Sequence, residues 1–128
     1  MTTLDSLATG KYLSLTTYKK DGTAVATPVW LVREGETLRV ITGADSGKAK
    51  RIRNNPSVLV ASCDSRGRLK GEQVPATATL LDADQTRSTA ALIKARYGLL
   101  GTILMWRNER QAKRAGQAMD VGISITLA

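Results

Sequence analysis

The chain has 128 residues, of which 42% are hydrophobic and 23% charged, the composition of one soluble domain with a real core. It has no histidine and one cysteine, which excludes a histidine-based triad, the usual zinc sites and an intramolecular disulfide. With 19 Lys and Arg against 11 Asp and Glu the net charge is +8, which favours acidic partners such as nucleic acid, anionic lipid or a polyanionic small molecule.

In chain order, the first ten residues lack a charged stretch followed by an apolar core, so no signal peptide is expected. Leu4–Leu7 reads as a short helical turn with Thr3 or Asp5 near its start. Tyr12–Tyr18 alternates, Leu13 and Leu15 against Ser14 and Thr16, as a half-buried strand does. Lys19-Lys20-Asp21-Gly22 is a hairpin turn, because Asp-Gly tolerates positive φ. Thr23–Val32 returns as a second strand, and Pro28 inside it implies an edge, a bulge or an irregular end. Arg33–Glu36 turns, and Thr37–Thr42 is a third strand with Leu38 and Val40 opposite Arg39 and Ile41.

Ser46–Pro56 follows. The Ser46 hydroxyl can cap a short helix, and Asn55-Pro56 stops it, since the residue before proline is driven out of the α region. Lys48, Lys50, Arg51 and Arg53 lie between them. Cations in a first helical turn oppose the macrodipole at roughly 0.3–1 kcal/mol each. A bound anion would remove that penalty, meeting free N–H groups, dipole and cations together. A solvated basic helix is the other reading. Ala49 and Ile52 can pack inward while Lys48 and Arg51 share the neighbouring face.

Ser57–Cys63 is nearly all apolar, which predicts a strand buried on both faces, and its Cys63 is read as an inert buried thiol. A free cysteine suits a reducing cytoplasm. Gly71–Leu81 alternates as a long strand of small residues. Asp82 or Asp84 caps a helix that runs to Tyr97 and ends at Gly98. A second helical stretch, 101–117, starts apolar and ends basic (Arg107, Arg110, Lys113, Arg114). Its apolar run, Leu99–Trp106, is too short to span a bilayer. Val121–Leu127 alternates and closes the sheet. Six strands with late helices and no linker predict one domain over residues 1–128, mainly β with helices (α+β), built as a small closed antiparallel barrel.

Candidate catalytic side chains are scarce. The acids fall in turns and caps, and Ser62 has no base near it in sequence, so no catalytic residue is expected. An anion site without reactive groups suits a protein whose cofactor does the chemistry, or a binding module. A nucleic-acid binder using the basic helix and the 107–114 cluster is a further alternative, but two Trp, three Tyr and no Phe make a poor stacking platform.

Tyr12–Thr17, Asp21-Gly22, TAVATPVW over Thr23–Trp30, and Ser46–Pro56 followed by Val58–Ala61 resemble the split β-barrel flavin and deazaflavin oxidoreductases. The resemblance is to the pyridoxamine 5′-phosphate oxidase class, in particular its branch using the deazaflavin coenzyme F420, and covers roughly the first 80 residues. KARYG and the terminal strand fit more weakly. The resemblance implies an FMN-binding-like split barrel of six to seven strands, with a cofactor in a groove between the subunits of a homodimer. It implies that Val25, Ala26, Thr27, Pro28, Val29 and Trp30 lie along the ring system, with Ile41 and Thr42 beside the ribityl chain. Lys48, Lys50 and Arg51 would hold the phosphate, and Gln73 would approach from the partner strand. Trp30 has a second reading as a large core residue closing the hairpin. The implied activity is hydride transfer between coenzyme F420, with FMN as the rival cofactor, and an enone, quinone or tetrapyrrole-like acceptor. A cofactor-binding protein without turnover is the non-enzymatic version. Vitamin B6 oxidation is not implied, because the histidine that substrate needs in the family is absent here.

Overall fold

The computed structural model describes the backbone of residues 2–114 and 120–128, and side chains outside 99–119. Seven strands and three helices follow in the order α1 (Thr3–Thr9), β1 (Tyr12–Tyr18), β2 (Ala24–Val29), β3 (Val32–Glu34), β4 (Thr37–Gly43), α2 (Gly47–Asn54), β5 (Ser57–Cys63), β6 (Val74–Leu80), α3 (Ala83–Arg114) and β7 (Asp120–Leu127). The strands form one antiparallel sheet in the order β2-β1-β5-β6-β7-β4-β3.

The sheet curls but does not close. Its edges, β2 and β3, are consecutive in sequence, yet each pairs with one neighbour only, β1 and β4 respectively. The expected second strand is therefore two strands. The step Trp30-Leu31 carries the chain across the gap from one edge to the other. Pro28 explains the edge: it has no N–H to give a second neighbour, and it pairs across β1 with Ser14. The result is a split barrel rather than a closed one.

Alternation fills the interior. Leu13 and Leu15 of β1, Val40 of β4, Val60 of β5 and Ile123 and Ile125 of β7 are fully buried. Leu4 and Leu7 of α1 and Ile52 of α2 pack on this core. The first helix starts one residue before the expected position, because Thr2 and Asp5 form a capping box: the Thr2 hydroxyl accepts the Asp5 N–H (3.1 Å) and the Asp5 carboxylate accepts the Thr2 N–H (3.0 Å). The β1–β2 turn uses Gly22 at φ 90°, where a side chain would be strained.

Burial on β5 is less complete than its composition predicts: Val58, Val60, Ala61 and Cys63 are buried, but Leu59 and Ser62 only partly. The sixth strand starts at Val74, not at Gly71. The preceding chain instead pairs back through a bridge between Cys63 and Leu69. Asp82 does cap α3, accepting the Gln85 N–H at 2.8 Å. A second, smaller core lies outside the barrel, where Val32 and Ile93 are buried against Trp30, Ile41, Leu92 and Tyr97. Gly122 lets α3 sit close on β7: a Cβ there would be 3.4 Å from the Thr86 Cα, and its N–H bonds the Thr86 hydroxyl. α3 breaks at Gly98 (φ 71°, ψ −157°), where the first late helix was expected to end. The faces of the 101–117 stretch, with its basic cluster, lie outside the described residues. Among the described residues no helix is long and apolar enough to cross a membrane.

Candidate functional site

A cavity of about 420 Å³ lies where the ends of β2 and β4, the start of α2, and α3 meet, a size usual for cofactor and small-molecule sites. Its lining includes Pro28, Val29, Trp30, Ile41, Thr42 and Lys48, with Tyr12, Gly43, Ile93 and Asp120.

One end is basic. The buried Thr42 hydroxyl meets the Ser46 hydroxyl at 3.0 Å, and the Ser46 oxygen caps α2 by accepting the Ala49 N–H at 3.2 Å. Buried Ala49 and Ile52 anchor the helix, so Lys48 and Arg51, three residues apart, share one flank. Arg51 reaches back along the helix. Its Nε donates to the buried Thr17 hydroxyl of β1 at 2.5 Å, and a Cβ on Gly47 would lie 2.6 Å from its Nη1. The guanidinium therefore stands over the first turn of α2. Burial, then the nearby Arg51 charge, pushes the Lys48 ammonium below its ordinary pKa. None of the ion pairs between described residues involves either cation. Lys50 is exposed and does not line the cavity, because it projects about 200° around the helix from Lys48. Arg53 instead donates to the Ala44 carbonyl at 3.1 Å.

The other end is aromatic. The Trp30 ring stacks on Tyr97 with centroids 4.6 Å apart and planes 10° from parallel. Trp30 packs against the second core and also lines the cavity. The Tyr97 phenol is raised by burial and lowered in part by its bond to the Leu31 backbone, with a net upward shift.

The remaining expected residues are not on the cavity wall in the single chain. Val25, Ala26 and Thr27 lie further along β2. The Thr27 hydroxyl is buried without a hydrogen-bond partner. Gln73 is exposed, and its neighbours Glu72 and Val74 line a different groove, under α1. Sequence reading missed Tyr12, Gly43, Ile93 and Asp120 as lining residues. For Tyr12 the β1 alternation was a usable signal. For Ile93 and Asp120 no local signal exists, because each arrives from a distant element.

A seven-stranded antiparallel half-barrel with three helices and a cavity at its split defines the split-barrel class of α+β proteins. The sequence profile of the pyridoxamine 5′-phosphate oxidase family matches residues 4–121, and the chain belongs to that family. Among curated proteins none matches this sequence. Solved structures share the fold at low identity. A heme storage protein of Vibrio cholerae, HutZ, superposes with a TM-score of 0.68 at 16% identity, covering 94% of this chain and 83% of its own. An F420 reductase superposes at 0.63 and 19% identity, covering 100% and 95%. A conserved hypothetical protein of Mycobacterium tuberculosis superposes at 0.70 and 18% identity, covering 99% and 81%.

Proposed function

We propose that the chain, acting as one domain, is an oxidoreductase that binds the deazaflavin coenzyme F420 in this cavity and reduces an electron-poor, unsaturated acceptor. The observation that carries the reading is the pair Lys48 and Arg51, brought together over the start of α2, with neither in an ion pair between described residues. Burial first, and the neighbouring Arg51 charge second, disfavour the Lys48 ammonium and lower its pKa. A phosphate removes the repulsion and meets the helix N–H groups as well. The residues present thus fit a phosphate-bearing cofactor.

Lys48 and Arg51 hold the phosphate. Thr42 and Ile41 flank the chain that joins it to the ring. Pro28, Val29 and Trp30 form the ring's wall, and Val25, Ala26 and Thr27 extend that wall along β2. Lys50, facing solvent, adds only a screened long-range attraction. When bound, the cofactor supplies hydride transfer, and the protein supplies binding, orientation and shelter from water. A homodimer in the cytoplasm is part of the proposal, with Gln73 reaching the ring from the second copy.

The test is a fluorescence titration of colourless purified protein with the deazaflavin, then stopped-flow oxidation of the reduced complex by a panel of enones, quinones and tetrapyrroles. Saturable binding with acceptor-dependent oxidation is expected. Protein that purifies yellow with bound FMN would replace the cofactor. Binding without oxidation by any acceptor would leave a carrier or storage protein.

A further inference from the structure

The chain's crossing of the split creates a problem that α3 solves. Leu31 is fully buried and lies outside every ladder, so both of its backbone polar groups need partners from elsewhere. Tyr97 Oη accepts the Leu31 N–H at 3.1 Å, and Arg96 Nη1 donates to the Leu31 carbonyl at 2.6 Å. The same two side chains reach the α1–β1 junction. Arg96 Nη2 donates to the Gly10 carbonyl and Tyr97 Oη to the Lys11 carbonyl, each at 2.6 Å. Directly beside Leu31, the Trp30 indole lies against the Tyr97 ring. Helix α3 breaks at Gly98, the very next residue.

From this we infer that Tyr97 and Arg96 are positioning residues. They lock the Trp30-Leu31 crossing so that Trp30 is held as a fixed aromatic wall for a planar conjugated ring. Trp30 has two neighbours of different kind: the Tyr97 ring stacked on it and the cavity it lines. A ring-bearing ligand then meets a platform already ordered, and loses no affinity to ordering it. The lock acts on the ring end alone, since none of its hydrogen bonds involves α2 or β4. This inference rests on the proposed cofactor site but concerns residues outside its lining.

The experiment uses the full chain with Trp106→Phe, so that Trp30 is the remaining tryptophan. Trp30 emission and acrylamide quenching are measured without ligand. Titrations with FMN, with the deazaflavin and with inorganic pyrophosphate follow. Tyr97→Leu should red-shift Trp30 emission and weaken ring ligands about tenfold, leaving pyrophosphate affinity unchanged. Tyr97→Phe keeps the stack but orphans the Leu31 N–H. It should lower the melting temperature while keeping ring affinity within about threefold. If Tyr97→Leu does not fold, Arg96→Met serves, and it too should weaken ring ligands and not pyrophosphate. Wild-type emission together with wild-type ring affinity in Tyr97→Leu, or in Arg96→Met where that variant stands in for it, overturns the proposal. An equal loss for ring ligands and pyrophosphate also overturns it, as that is general damage. Failure of the parent chain to bind either ring ligand would sink the cofactor reading itself, and the ligand role of the lock with it.

Discussion

The two ends of the cavity are built in opposite ways. The basic end is nearly all one contiguous stretch: Thr42 and Lys48 line the cavity, Ser46, Gly47 and Arg51 stand beside them within the same ten residues, and one helical cap orders them. Only Thr17 comes from elsewhere. The aromatic end is assembled across the chain. Trp30 meets Tyr97, whose bonds span 66 and 86 residues of sequence. An anion site can be made from a single helix terminus with charges at the right spacing. A flat apolar wall needs several elements to arrive together, and its accuracy depends on the fold. The two ends should therefore respond to different ligand fragments and different mutations.

The largest expected effect is at the basic end. Changing Lys48→Ala and Arg51→Ala together should weaken FMN or deazaflavin binding by about 3 kcal/mol, or more than about 100-fold, in line with two lost charge-assisted hydrogen bonds. Riboflavin, which has the ring but no phosphate, should bind the double variant as it binds the parent. Isothermal titration with both ligands reads this directly. A similar loss for riboflavin would show that the two ends are one coupled unit.

The reciprocal change is smaller. Trp30→Ala should cost ring ligands about 2 kcal/mol, the aromatic contact plus the apolar area it buries, more than the loss expected of Tyr97→Leu, and leave inorganic pyrophosphate unaffected. A pyrophosphate loss here would again merge the two ends.

The same division governs what could be read from sequence. Helix α2 was legible to its cap and its stop, because Ser46 and Pro56 act on their immediate neighbours. Pairing Lys48 with Arg51 follows from helical spacing, and so does the outward turn of Lys50, although charge counting alone groups all three. Most strands were legible from period-2 alternation. The errors cluster at the split. TAVATPVW continues into LV without any turn residue, so nothing local says that the chain leaves one edge and joins the other. The break has a nonlocal cause: Tyr97 and Arg96 take the Leu31 backbone groups that a ladder would otherwise take. KARYG shows where a helix ends, but nothing in it reveals which backbone its side chains will meet.

A pH titration sharpens the account of the basic end. Lys48 in the free protein lies below its ordinary value of 10.5, through burial and then Arg51. Its charged form binds the anion, so affinity for pyrophosphate should fall as pH rises through that lowered value, at less alkaline pH than a normal lysine allows. The bound anion favours the ammonium, so binding should take up protons over the same interval. Lys48→Arg, which cannot lose its proton there, should flatten the profile. A flat profile in the parent chain would mean that Lys48 is not at the anion.

Below these stands the helix cap. Ser46→Ala removes the acceptor for the Ala49 N–H and the bond to Thr42. A stability loss of about 1 kcal/mol is expected in denaturant melts. Because Lys48 and Arg51 depend on α2 for their placement, phosphate affinity should fall with it, and riboflavin affinity should not.

The smallest effect should come from a place that belongs to neither end. Asp5 closes the α1 capping box, and the Thr2 backbone bond, with Arg33 beside it, holds its carboxyl at about 2, below the ordinary 3.8. A carboxylate with a depressed folded pKa adds stability that is fully present above 3.8 and is lost as pH falls from there toward about 2. Asp5→Asn should therefore lower the melting temperature slightly at neutral pH, with the difference from the parent vanishing near pH 2. The group is exposed, so screening by salt should shrink the effect further. Helix α1 packs its leucines on the barrel core and shares no residue with the cavity wall, so neither riboflavin nor pyrophosphate affinity should change. If either did, the α1–β1 junction would be transmitting strain through the Gly10 and Lys11 carbonyls to the Tyr97 lock, and the aromatic end would extend further into the fold than its hydrogen bonds indicate.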